Sequence, residues 1–173
     1  QHAQVALAVG LARHPELLIL DEPVARLDPL ARHDFMAALM TAVAEDNISV
    51  LLSSHVIAEL ERVCDYLVVL SHGRVQVAGD VADLVDSHRV VTGPTAEADA
   101  ISESLTVVGE QRTRRQTRLL VRADRHTDWQ IALPQSWQAS PTGLEELVLS
   151  YLRAPDVTAL PGPQLASAAG RRP

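Results

Sequence analysis

Two adjacent acidic residues, Asp21 and Glu22, directly follow the short apolar run Leu17–Leu20. Such a run predicts a strand of a parallel sheet covered on both faces, and ligands of these sheets bind where the strands end. Because neighbouring side chains on a strand point in different directions, the two carboxylates can perform different tasks. Asp21 can hold a Mg²⁺ ion, and Glu22 can orient or deprotonate an attacking water. The alternative is a polar strand end with two solvated carboxylates.

Two further side chains that could take part in a reaction follow along the chain. Asp28 lies six residues after Glu22, and His55 follows the next predicted strand, at 48–52. Because the carboxyl ends of parallel strands meet at one edge of a sheet, His55 is expected close to Glu22. There the imidazole can contact a γ-phosphate oxygen and connect it to the water and Glu22. The alternative for a single histidine after a strand is a cap or a packed surface residue.

The elements that must position these residues alternate between helices and strands up to residue 88. Helices are predicted over 1–13, 29–45, 56–63 and 80–85, and strands over 17–20, 48–52, 66–70 and 75–78. Asp28 is expected to cap the second helix, with Pro29 in its first turn. This alternation predicts βαβ units and a parallel sheet.

The pattern changes near residue 88, which divides the chain into three expected segments. Residues 1–88 are expected to form part of an α/β core, 89–153 a small α+β appendage, and 154–173 a disordered tail rich in proline and alanine. Strands are predicted in the appendage at 89–92, 104–108 and 117–121, and helices at 96–101 and 144–151. Trp129 and Trp137 are expected to pack inside it.

The composition excludes several functions for the chain. All 15 basic residues are arginines, so a phosphate-binding loop of the form G-x-x-x-x-G-K-[ST] is absent from it. The net charge of −7 disfavours general nucleic-acid binding through the phosphate backbone. Arg112, Arg114, Arg115 and Arg118 could meet anionic headgroups or nucleic acid, but a solvated hairpin is favoured because no aromatic residues are interleaved. The longest apolar runs fall far short of the roughly 20 residues of a membrane-spanning helix.

The ordered motifs of residues 1–85 resemble the second half of the ATP-binding subunit of an ABC transporter. Gln1 matches the last residue of the LSGGQ signature, and Leu17–Glu22 matches the Walker B strand with its catalytic glutamate. Val24–Asp28 resembles the D-loop, and Ser54-His55 resembles the loop that carries the switch histidine. The D-loop departs from the common Ser-Ala-Leu-Asp, because here Ala-Arg precedes Leu-Asp.

This resemblance implies a fold of the α/β class: the C-terminal half of a P-loop NTPase core with a parallel sheet, followed by the small α+β appendage. It implies an ATPase in which two subunits pair head to tail around two ATP molecules and drive a transmembrane permease at the cytoplasmic face of the membrane. Asp21 would hold Mg²⁺, Glu22 and His55 would be catalytic, and Gln1 and Asp28 would bind ATP across the interface. The segment 143–149 resembles the closing helix of many export ATPases, which favours an exporter.

The resemblance also implies that part of the ATP site is absent from the chain. In the family the Walker A loop with its lysine and the Q-loop precede the signature, so the isolated chain is expected to be inactive. Two alternatives stay open: a soluble ABC-type ATPase of translation or DNA repair, and a non-catalytic remnant. The first usually has a tandem cassette or a long coiled coil, which this chain does not show. The presence of Asp21, Glu22, Asp28 and His55 counts against the second.

Overall fold

The computed structural model describes residues 2–122, 127 and 133–153. Its contacts divide the chain into two compact units, Gln1–Val63 and Cys64–Pro173. The domain boundary near residue 88 and the extents 1–88 and 89–153 stay predictions. Gln1, Trp129 and the tail 154–173 lie outside the described residues. None of the described helices is long and apolar enough to cross a membrane.

The first unit alternates helices and strands, as predicted. Its elements are α1 (His2–Leu11), β1 (Leu17–Asp21), α2 (Pro29–Asp46), β2 (Ser49–Ser53) and α3 (Ile57–Leu60). The two strands pair in parallel, from Leu17 opposite Ser49 to Asp21 opposite Ser53. This parallel pair confirms the α/β class, and its register brings the ends of both strands to one edge.

Local signals explain the bounds of α2 and α3. The Asp28 carboxylate accepts hydrogen bonds from the amides of Leu30 and Ala31, and Pro29 occupies the first turn, so the predicted N-cap is confirmed. Asn47 ends α2 in a left-handed conformation, with φ +52°. Helix α3 is shorter than the predicted 56–63 and begins without a side-chain cap, because Val56 has no hydrogen-bond acceptor in its side chain.

The core of the first unit covers one face of the strand pair. Leu7 of α1, Val24 and three residues of α2 are buried together, and the strands contribute Leu18, Leu20, Val50 and Leu52. The alternate side chains Leu17, Ile19 and Leu51 lie on the opposite face and are exposed. The prediction that the first strand is covered on both faces is therefore not met within the described residues.

The second unit is antiparallel. Its elements are β3 (Tyr66–Ser71), β4 (Arg74–Asp80), α4 (Val81–Asp86), β5 (His88–Pro94), α5 (Ala98–Ser104), β6 (Thr106–Arg112), β7 (Gln116–Arg122), β8 (Gln138–Pro141) and α6 (Leu144–Arg153). Strands β3 and β4 form a hairpin, and the other four form a sheet in the order β6-β7-β5-β8. Helix α6 contacts both β3 and β4, which explains why residues 64–88 group with the appendage.

One strand of the second unit was not predicted from the sequence, whereas the packing of Trp137 was. Strand β8 was missed, because Gln138–Pro141 is short, fully exposed and shows no apolar alternation. Trp137 is buried with Val91, Leu119 and Val121, as expected for a packing residue. Its ring lies directly over Gly93, where a Cβ would overlap it, so this close approach requires glycine.

Candidate functional site

The ends of β1 and β2 are joined by the hydroxyl of Ser53. Ser53 Oγ donates a hydrogen bond of 2.6 Å to Asp21 Oδ1 and accepts one of 2.9 Å from the backbone amide of Glu22. The same amide lies 3.2 Å from the Ser53 carbonyl oxygen. Ser53 therefore holds both acidic residues at the strand edge. Ser53 was not predicted as a site residue, although parallel pairing of equal strands would have placed it opposite Asp21.

Glu22 and His55 are in direct contact. His55 Nδ1 lies 2.8 Å from Glu22 Oε2, and 37% of the glutamate side chain and 68% of the imidazole are exposed. With the proton on Nδ1, the imidazole donates to Glu22 and leaves Nε2 as an acceptor. The expectation that these two residues lie close together is confirmed.

The backbone of Glu22 contributes to this contact. Its φ of +46° lies in the left-handed region, which is uncommon for a residue with a side chain. The chain turns at this residue, immediately after β1, while the amide stays bonded to Ser53. Conformations of this kind cluster at functional sites, where the surrounding structure maintains them.

Asp28 is held apart from the Glu22–His55 pair. Within the described residues its carboxylate is bonded to the Leu30 and Ala31 amides and not to Glu22 or His55. The hydrogen bond from Ala31 is the largest influence that lowers the pKa of Asp28 below 3.8, despite some opposing desolvation. Asp28 therefore acts as a helix cap in this chain, and its role across an interface stays a prediction.

The strand edge presents one exposed carboxylate, that of Asp21, which was predicted as a metal ligand. Asp21 is exposed, and Ser53 occupies one of its two carboxylate oxygens. In the described part of the chain, no group of three or more His, Cys, Asp or Glu residues could hold a metal ion. One carboxylate, completed by water and phosphate oxygens, is a common way to bind Mg²⁺, so the residues present fit that ion.

Two of the four arginines in the arginine-rich hairpin of the second unit form ion pairs. Arg118 contacts both carboxylate oxygens of Glu146 on α6, at 2.9 and 2.8 Å. Arg112 contacts Asp99 at 2.6 Å and is also bonded to Glu110. These pairs neutralise half of the predicted basic cluster, which supports the solvated-hairpin interpretation.

Comparison with known proteins identifies the relatives of this chain. No family model matches it. It is 38% identical to the Nod factor export ATP-binding protein I of Cupriavidus pinatubonensis over 111 residues, which are 62% of this chain and 34% of that protein. It is 38% identical to a putative ABC transporter ATP-binding protein of Mycoplasma pneumoniae over 84 residues, 49% of this chain and 26% of that protein. This chain is related to the ATP-binding proteins of ABC transporters.

Other relatives of this chain differ in the direction of transport that their names state. The Molybdenum import ATP-binding protein ModC of Rhodobacter capsulatus is 38% identical over 82 residues, which are 47% of this chain and 23% of that protein. The chain thus spans between about a quarter and a third of the length of these three relatives. The resemblance inferred from the motifs is confirmed at the level of the family.

Proposed function

We propose that this chain is part of an ATP-hydrolysing subunit of an ABC transporter, in which Glu22 is the general base. The observation that carries the proposal is the 2.8 Å contact between Glu22 and His55 beside the Asp21–Ser53 bond. Two acids and a histidine at the ends of adjacent parallel strands suit phosphoryl transfer to water, which needs a positioned nucleophile and charge stabilisation.

Each residue would have a distinct task. Glu22 would accept a proton from the attacking water. His55, bonded to Glu22 through Nδ1, would donate a hydrogen bond to the γ-phosphate when Nε2 also carries a proton, and would keep the glutamate in place. Asp21, whose other carboxylate oxygen is bound by Ser53, would hold Mg²⁺. The ion would supply positive charge that neutralises the phosphate oxygens.

The remaining parts of the site would come from outside this chain. The chain has no lysine for a phosphate-binding loop, and these two relatives are nearly twice as long as the chain. The longer gene product would supply that loop, and a second subunit would complete each site in a head-to-tail dimer. In this arrangement Gln1 and Asp28 would bind ATP across the interface.

The physiological partner would be a transmembrane permease at the cytoplasmic face of the membrane. The closing segment 143–149 favours export, and one of the compared relatives bears an export name. The molybdenum import protein and the export protein are both 38% identical to this chain, so the preference for export depends on the segment 143–149. The transported substrate would be set by the permease.

The Glu22→Gln variant of the full-length protein tests the proposal. Glutamine keeps the shape of the side chain but cannot accept the proton, so we expect ATP turnover to fall by about 10²–10⁴-fold while nucleotide binding is kept. Steady-state ATPase assays and nucleotide titration measure the two effects. Glu45→Gln, on the exposed end of α2, is the matched control and should turn over normally. Normal turnover by Glu22→Gln would remove Glu22 as the base.

A further inference from the structure

An ion pair connects α2 to α3 in the first unit. Arg32 NH1 lies 2.8 Å from Glu59 Oε1, and only 27% of the arginine and 17% of the glutamate side chain is exposed. The pair is therefore partly shielded from solvent, where attraction between charges is stronger than on an open surface. Neither residue belongs to the motifs that the sequence analysis singled out.

The same guanidinium also holds the loop before α2. Arg32 NH2 donates a 3.3 Å hydrogen bond to the carbonyl oxygen of Leu27, the residue before the cap Asp28. A guanidinium presents several donors in a fixed plane, so one arginine can connect two acceptors in a defined geometry. Arg32 thus bridges the loop that carries Asp28 and the helix that carries Glu59.

Glu59 in turn lies close in sequence to the switch histidine. It follows His55 by four residues, in a helix of only four residues that begins at Ile57 without a side-chain cap. So short a helix is not stable by itself, and its position depends on tertiary contacts. The contact with Arg32 is therefore suited to set where α3, and the loop with His55 before it, is placed.

Arg32 Nε and Glu59 Oε2 are buried and have no hydrogen-bond partner among the described residues. Removal of one partner would leave the other charge poorly compensated, whereas removal of both would not. This difference allows the role of the bridge to be separated from simple destabilisation.

We propose that Arg32 and Glu59 are positioning residues for ATP hydrolysis. Their bridge sets the spacing between the Asp28 loop and the His55 loop, and through the latter it sets the contact between His55 and Glu22. The inference rests on the proposed function, because it assigns the bridge to that reaction. Arg32 and Glu59 act on the reaction through His55 and do not touch the reacting atoms.

The test compares two variants of the full-length protein in ATPase, nucleotide-binding and thermal-unfolding assays. Arg32→Lys keeps the charge but loses the planar fork that reaches both Leu27 and Glu59. The double variant Arg32→Gln/Glu59→Gln removes both charges together and so leaves no unpaired charge. For each we expect kcat to fall at least about tenfold, the scale of small misplacements of catalytic groups, with nucleotide affinity unchanged. Arg62→Lys, an exposed arginine near α3, is the matched control.

The same Arg32 substitution in a His55→Ala protein distinguishes a positioning role from a structural one. In His55→Ala protein, studied under single-turnover conditions, Arg32→Lys should cause little further loss, because the residue through which the bridge acts is already absent. Wild-type turnover in both Arg32 variants, or an equal loss with and without His55, would overturn the inference.

The Glu22→Gln protein, assayed in parallel, distinguishes the two proposals. If Glu22→Gln is inactive and Arg32→Lys turns over ATP normally, only the positioning role of Arg32 and Glu59 is overturned. A full-length wild-type protein without ATPase activity would overturn both.

Discussion

At the scale of single residues, the candidate site is held together by hydrogen bonds between one hydroxyl and two neighbouring groups, a carboxylate and a backbone amide. Ser53 bonds to the Asp21 carboxylate and to the Glu22 amide, and Glu22 adopts a left-handed backbone conformation where the chain leaves β1. These contacts define the direction of the Glu22 side chain before any ligand binds. For the proposed general base, such preorganisation reduces the free energy lost to reorientation during the reaction.

A second histidine, in the second unit, has a structural role. His88 is fully buried; its Nδ1 lies 2.6 Å from the Leu84 carbonyl oxygen, and its Nε2 lies 2.8 Å from the Tyr151 hydroxyl. Burial is the main cause that lowers the pKa of His88 below 6.5, opposed by the Leu84 hydrogen bond and assisted by the charge of Arg122. Burial also raises the pKa of Tyr151 to about 12. Both groups are therefore neutral in the folded chain near pH 7.

This neutral pair predicts that the second unit loses stability in mild acid. Below pH 6.5 the unfolded chain binds a proton at His88 that the folded chain does not, so the free energy of unfolding decreases as the pH falls. The slope from this residue is at most about 1.4 kcal/mol per pH unit. Urea unfolding of the chain between about pH 5 and 7.5 measures it.

The His88→Gln variant should show a shallower dependence of unfolding on pH than the wild-type chain. His33→Gln is the control, because 78% of the His33 side chain is exposed. Equal slopes for His88→Gln and wild type would show that His88 does not cause the acid sensitivity.

At the scale of elements, the strand pair of the first unit has one covered and one uncovered face. The covered face packs Leu18 and Leu20 against α1 and α2, whereas Leu17, Ile19 and Leu51 are 53%, 66% and 59% exposed. Contiguous apolar side chains on a surface favour association with another apolar surface. In the isolated chain this face is expected to promote aggregation.

Substitution of Ile19 by threonine should reduce that aggregation. The change replaces an exposed apolar group and keeps a β-branched residue in the strand, so the unfolding free energy should change by no more than about 0.5 kcal/mol. Light scattering at increasing protein concentration and urea unfolding test the two effects. The control Leu18→Thr, which alters the packed face, should destabilise by about 2 kcal/mol or more. Unchanged aggregation of Ile19→Thr would exclude this face as its source.

At the scale of the whole molecule, the chain contains the residues proposed to activate the attacking water, but it contains no lysine with which to bind the phosphates. Most affinity for a nucleotide in P-loop proteins comes from backbone amides of a glycine-rich loop and its lysine. No lysine is present in the 173 residues. Asp21, Glu22 and His55 alone provide two negative charges and one imidazole, which cannot neutralise a triphosphate.

The isolated chain is therefore expected to bind ATP only weakly and to show no hydrolysis above background. Titration with Mg²⁺ and ATP by calorimetry should give no saturation in the micromolar range, whereas the full-length protein should bind. A micromolar dissociation constant for the isolated chain would contradict the assignment of phosphate binding to the longer gene product.

The amino-acid sequence by itself determined the helices and most strands, the Asp28 cap, the family and the proximity of Glu22 to His55. These features depend on local patterns, or on the rule that parallel strands end at one edge, and both are visible in a single chain. The order of the motifs made the resemblance to the family recognisable.

Only the tertiary structure decided the features that depend on residues far apart in the chain. The Ser53 bridge, the Arg32–Glu59 pair and the pairing of β8 with β5 join positions between 27 and about 50 residues apart. The uncovered face of β1 likewise depends on which elements pack beside it. A local pattern states that a side chain is polar or apolar, but its partner is chosen by packing, where geometry and burial act together.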